Sequence, residues 1–176
     1  MEAHRVLKKA GYIVESYGTG SAVRLPGSSI DRPNTYSFGT PYKTMYNDLS
    51  KKDIRLYTAN GVLTMLDRNR KIKDHPERWI EHKRIFDVVF TCEERCFDAV
   101  CYDLMNRGAN INKLVHVINV EIKDNHEEAY VGARGILDLA NRFSEAKDLD
   151  TEIMSILTLW QDDHKNLPVL YSPAYF

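Results

Sequence analysis

Ile85-Phe86-Asp87-Val88-Val89-Phe90-Thr91-Cys92-Glu93-Glu94 decides the fold. Its first six residues form a compact apolar run rich in β-branched side chains and of strand length. Thr91, with Glu94 three positions on, spells a capping box, the signature of a helix start. A strand therefore feeds a helix, whose apolar face carries Phe97, Val100, Cys101, Leu104 and Met105 before Gly108 ends it. Downstream the alternation repeats. Residues 114–120 read as a second buried strand, and a helix with the stripe Ala129, Ala133, Ile136, Ala140 and Phe143 follows. A last helix shows Leu149, Ile153, Ile156 and Trp160, and residues 167–176 are predicted as an edge strand. Upstream, Ala3, Val6, Leu7 and Ala10 mark a helix stopped by Gly11, and residues 12–17 read as a short strand. A long loop punctuated by Pro26, Pro33 and Pro41 leads to helical spacing at Tyr42, Met45, Tyr46 and Leu49 that continues to Tyr57. After Asn60-Gly61 comes a further helix with Val62, Met65 and Leu66. Strands alternating with helices predict an α/β fold with a mainly parallel, doubly wound sheet. Ligands in such folds sit at the carboxyl ends of the strands, so the loops after Tyr17, Phe90 and Val120 are the ones to watch.

The 176 residues are enough for one substantial core, and a single domain over 1–176 is predicted. A formal charge of −1, with basic residues scattered, argues against gripping nucleic acid through its phosphates. No apolar run approaches the length that crosses a bilayer, and the start Met1-Glu2-Ala3-His4 does not read as a secretory leader. Three cysteines, Cys92, Cys96 and Cys101, are read as reduced thiols of an intracellular protein.

Few clusters carry chemistry. Asp124 follows a strand and stands at the mouth of a helix, where a general acid would reach a bound substrate. The same position also suits a helix cap with Glu127 in the first turn, and the two roles are compatible. Cys101 and Arg107 have the Cys-x(5)-Arg spacing of cysteine phosphatases, but the residues between offer no glycine or serine for an anion nest. Cys101 reads as core. Cys92 is better placed after a strand, yet six residues on stands Asp98 rather than arginine. The six histidines show no paired metal spacing, so neither metal nor cofactor is expected. The basic run at residues 68–73 reads as a solvated helix end or a contact for an acidic partner.

Several words in the sequence are familiar in combination. Met1-Glu2-Ala3-His4, Ser16-Tyr17-Gly18-Thr19-Gly20, Met45-Tyr46-Asn47-Asp48-Leu49, Met65-Leu66-Asp67-Arg68-Asn69, Thr91-Cys92-Glu93-Glu94-Arg95 and Asp124-Asn125-His126-Glu127-Glu128 occur in order and register. Together they resemble the eukaryotic phosphatases that act on the C-terminal heptad repeats of RNA polymerase II, built on the low-molecular-weight tyrosine phosphatase fold. The resemblance implies removal of phosphate from a phosphoserine that precedes a cis proline, by a cysteine thiolate and an aspartic acid. It places Asp124 as the acid. Leu25, Pro26, Tyr57 and Met65 would line the proline groove, with Arg24 near the peptide; helix core is the other reading of Tyr57 and Met65. The implied partners are the phosphorylated polymerase repeats and 3′-end processing scaffolds, and the implied setting is the nucleus.

In that family an apolar strand and a Cys-x(5)-Arg-Ser loop lead into Met-Glu-Ala-His. These 176 residues begin at that methionine, so a missing first strand and an inactive chain are expected. The alternative expectation is a non-catalytic module that binds phosphopeptide or docks a scaffold.

Overall fold

The computed structural model describes residues 1–176. In chain order the elements are α1 (Glu2–Lys9), β1 (Tyr17–Gly18), β2 (Val23–Leu25), β3 (Asn34–Tyr36), α2 (Tyr42–Ala59), α3 (Val62–Ile72), β4 (Glu77–Arg78), β5 (Val88–Thr91), α4 (Glu94–Arg107), β6 (Leu114–Val120), α5 (His126–Glu145), α6 (Leu149–Asp163) and β7 (Val169–Tyr175). They fall into two compact units. One comprises Met1 and Glu15–His82, the other Glu2–Val14 and Lys83–Phe176.

The second unit is built on the sheet β5-β6-β7, with β5 parallel and β7 antiparallel to the central β6. Because side chains alternate across a strand, Ile118 and Val120 face one way, into a core with Leu7 of α1, Ile136 and Leu139 of α5, and Leu157 and Trp160 of α6. Val115 and Val117 face the other way, toward the side that α4 covers with Val100 and Leu104, and all four are buried. A sheet sandwiched between helix layers is the α/β architecture that the alternating runs predict. Gly132 and Gly135 let α5 come close to its neighbours: a Cβ on Gly135 would lie 2.6 Å from Leu167 and 3.2 Å from the Trp160 ring. Trp160 also donates its indole N–H to the Gly135 carbonyl at 3.0 Å.

The predicted edge strand is present as β7, and Pro173 opposes His116 in its register. The His116 amide donates to Asp87 at 3.0 Å, on the β5 side, so His116 and Pro173 form a pair without mutual ladder bonds. Proline therefore occupies a position whose backbone faces outward from the sheet, where its missing N–H costs the ladder nothing. The outward carbonyl of Pro173 accepts from the Ser172 hydroxyl at 3.2 Å.

The first unit is helical, with small two-stranded pieces. Leu25, Tyr42, Met45, Leu49, Tyr57, Val62, Leu63 and Leu66 form its core. The stretch read as a proline-punctuated loop holds the antiparallel hairpin β2-β3, with Arg24 opposite Thr35 and Leu25 opposite Asn34. The strand predicted at residues 12–17 is confined to Tyr17–Gly18, which pairs in parallel with Glu77–Arg78; residues 12–16 join no ladder. Helix α2 is two helices end to end. Asp53 is extended (φ −165°, ψ 92°), and its carboxylate accepts from the Leu56 amide at 2.9 Å as a cap for the second piece. Gly61, at φ 79°, makes the turn into α3 in a backbone region that β-carbons disfavour. The basic run ending α3 is held by acids: Arg70 and Lys71 both bond Asp67, and Lys73 bonds Glu77 and the Ser16 carbonyl.

Candidate active site

In the second unit, the carboxyl ends of β5 and β6 open into a cleft of about 430 Å³ lined by Glu93, Glu94, Arg95, Glu121, Ile122, Lys123 and Asp124. This is where the topology of an α/β sheet places ligands. The Ile122 amide, donating to the Cys92 carbonyl at 3.1 Å, ties its two loops together. Beneath them runs a polar chain that the sequence did not disclose. The Thr91 hydroxyl donates to Asn119 Oδ1 at 2.8 Å, and Asn119 Nδ2 donates to Glu121 at 2.9 Å. Thr91 is thus buried in the sheet and is not the cap of α4, which begins after Glu93 with no side-chain cap at all. The capping box was a local pattern, and a partner 28 residues away took the hydroxyl instead.

A similar reassignment frees Asp124. The cap of α5 is Asn125, whose side-chain oxygen accepts from the Glu128 amide at 2.9 Å. Asp124 stands one residue before it, exposed, on the wall of the cleft. Its charge, together with that of Glu93, helps hold Arg95 protonated, the bond to Glu93 being the larger cause.

The cysteines are engaged elsewhere. Burial, the largest cause, pushes the Cys92 thiol up, which disfavours a thiolate. Burial also raises Cys101, on α4. Arg107 lies on the same helix, paired to Asp103 at 2.8 Å, so the amides between Cys101 and Arg107 belong to helical bonds and form no phosphate cradle.

The groove residues lie together in the first unit. Leu25 and Tyr57 are buried in one cluster, and Met65, half-exposed, packs against it. Pro26 is exposed at the end of β2, next to exposed Arg24. What the sequence did not reveal is the residue that joins them. Asn34 Nδ2 donates to the Pro26 carbonyl at 3.1 Å and to the Tyr57 hydroxyl at 2.9 Å. The hairpin turn is equally close-set, since a Cβ on Gly27 would stand 1.6 Å from the Arg32 carbonyl oxygen. Gly27→Ala is expected to force that backbone apart and cost about 1–3 kcal/mol of stability. Urea unfolding of the variant beside the parent protein measures it.

A sheet between helix layers, with an acidic side chain at the mouth of a helix beyond its strands, is the plan of an α/β protein whose ligand site lies at the carboxyl ends of the strands. Residues 1–176 match the family described as "Ssu72-like protein". The chain belongs to that family. It is 58% identical to SSU72 of Candida glabrata, a phosphatase of the RNA polymerase II C-terminal domain, in an alignment covering 100% of this chain and 90% of the relative. To the human protein of that name it is 49% identical, over 92% of this chain and 84% of the relative. Among solved structures, Drosophila melanogaster Ssu72 with Symplekin, bound to a cis peptidomimetic phosphopeptide of the polymerase C-terminal domain, is 42% identical. That likeness has a TM-score of 0.95 and covers 99% of this chain and 90% of the other. A second Drosophila melanogaster structure, of the serine phosphatase alone, gives a TM-score of 0.96 at 43% identity, over 99% of this chain and 92% of that one.

Proposed function

We propose that the protein is a phosphatase that removes phosphate from phosphoserine preceding proline in the C-terminal repeats of RNA polymerase II, with residues 1–176 forming a single phosphatase-like domain of it. It acts in the nucleus, in transcription and 3′-end processing, with a Symplekin-like scaffold as partner. The observation that supports this best is the release of Asp124 from capping: a carboxyl group stands exposed at the cleft where a leaving serine oxygen must gain a proton. Leu25, Pro26, Tyr57 and Met65 form the apolar slot for the proline ring. Arg24 supplies a cation toward the phosphorylated peptide.

The reaction also needs a thiolate in a ring of amides, and Cys92, Cys96 and Cys101 do not stand in one. That favours, as a second reading for residues 1–176 by themselves, a module that binds the phosphopeptide without turning it over. The two readings separate on one comparison, made with the full-length product and with residues 1–176. An enzyme should release phosphate from a phospho-Ser-Pro peptide about tenfold or more faster than from the phospho-Ser-Ala analogue, and Met65→Ala should erode that preference. Retained binding without phosphate release by residues 1–176 would establish the second reading, absence of release by the full-length product would reject the enzyme, and equal rates on the two peptides would reject the proline slot.

A further inference from the structure

We propose that Asn34 is a positioning residue that sets the width of the proline slot, acting through Pro26 and Tyr57. The inference rests on the groove reading above.

Asn34 stands at the start of β3, between the end of β2 and the second piece of α2. Its carboxamide makes three bonds. Nδ2 donates to the Pro26 carbonyl (3.1 Å) and to the Tyr57 hydroxyl (2.9 Å), and Oδ1 accepts from Lys52 Nζ (3.1 Å). The orientation of the amide is fixed by chemistry: a lysine can only donate and a carbonyl can only accept, so oxygen must face Lys52 and nitrogen must face Pro26. Lys52 is in turn paired with Asp48 at 2.8 Å, and Asp48 accepts from the Tyr36 hydroxyl at 2.6 Å. Tyr36 lies two residues after Asn34, on the same face of β3. The hairpin is thus fastened to α2 at two points on either side of the Asp53 bend. The Asp48 carboxylate is held below its usual range by Lys52 first and Tyr36 second, so the fastening persists well below neutral pH.

A proline ring offers a slot little beyond van der Waals contact, and that contact is sensitive to width: a radial gap of about 0.5–1 Å forfeits a quarter to a half of it. Pro26 sits at the end of a three-residue strand and Tyr57 beyond a break in a helix, so neither is held to the other by regular structure. The carboxamide of Asn34 bridges both walls.

Variants of the full-length protein test this. Asn34→Leu has similar volume and none of the three bonds; Asn34→Asp can still accept from Lys52 and Tyr57 but cannot donate to Pro26. For a phospho-Ser-Pro peptide, KM is expected to rise about five- to tenfold in Asn34→Leu and by less in Asn34→Asp, with kcat within about twofold. Combining Asn34→Leu with Tyr57→Phe should raise KM by less than the product of the separate effects, because both remove the same bond. A KM within twofold of the parent in Asn34→Leu, or an Asn34→Leu effect borne by kcat alone, overturns the proposal. Should Asn34→Leu not fold, Asn34→Asp decides: an unchanged KM overturns the inference and a raised one supports it. Met65→Ala, measured in parallel, separates this from the groove reading. If it raises KM while Asn34→Leu does not, the slot stands and the role of Asn34 falls; if neither does, the slot itself is rejected and the inference with it.

Discussion

Asp124→Asn is expected to lower kcat on a phospho-Ser-Pro peptide by about 10²–10⁴-fold, the usual contribution of a positioned general acid. KM should change little, since asparagine keeps the size and polarity of the residue. The substrate dependence carries the sharper information. A serine alkoxide is a poor leaving group and needs its proton, whereas a nitrophenolate leaves readily without one. With p-nitrophenyl phosphate the same variant should therefore lose far less. A uniform loss on both substrates would assign Asp124 to binding or folding, and no loss on the peptide would remove it from the mechanism. The structure makes the substitution clean: the cap of α5 is Asn125, so Asp124→Asn leaves that helix start intact. Asn125→Ala is the complementary change, which should destabilise α5 by about 1 kcal/mol.

Trp160→Ala carries the largest expected effect on stability. The side chain is fully buried in the core beneath β6, stacks on His164 with centroids 4.5 Å apart, and donates to the Gly135 carbonyl. Deleting it leaves a large cavity and removes the bond to the Gly135 carbonyl, which keeps its helical partner within α5, a loss of about 3–5 kcal/mol. Against a typical domain stability of about 5–15 kcal/mol, that endangers folding near 37 °C. Trp160→Phe keeps most of the volume and loses that one bond, so its cost should be about 1–2 kcal/mol. Chemical denaturation of the three proteins gives both values, and equal midpoints would contradict the packing described.

What was legible in the sequence follows the range of the forces involved. The strands at Val88–Thr91 and Leu114–Val120, and helices α4 to α6, announce themselves through runs and stripes of apolar side chains, because each buries its face against the same sheet. Caps were less legible. Thr91 has a good local pattern, but its hydroxyl serves Asn119 on the neighbouring strand; Asp124 and Asn125 are adjacent candidates, and only geometry chooses between them. The hairpin inside the proline-rich stretch and the bend at Asp53 escaped for the same reason. The first has three-residue strands too short for a period, and the second lies in an otherwise helical sequence. Asn34 gave no signal because its importance lies in three partners from separate places in the chain. The roles given to Arg24, Leu25, Pro26, Tyr57 and Met65 came from resemblance, whereas Asp124 was also marked by its place after a strand; the residues alone read Tyr57 and Met65 as helix core, and Tyr57 is indeed buried while Met65 is half-exposed.

The placement of Pro173 bears on how the protein behaves when concentrated. An open β border normally offers a visiting chain a row of amide donors and carbonyl acceptors, and it is by that row that soluble proteins recruit one another into fibrils. Here the row is interrupted near its end, with the donor removed by an imino acid and the acceptor occupied by a hydroxyl from the preceding residue. A foreign strand laid along this margin would meet a gap in its own bonding on reaching that point. That border of the sheet therefore carries a built-in guard against strand addition, supplied by two neighbouring side chains.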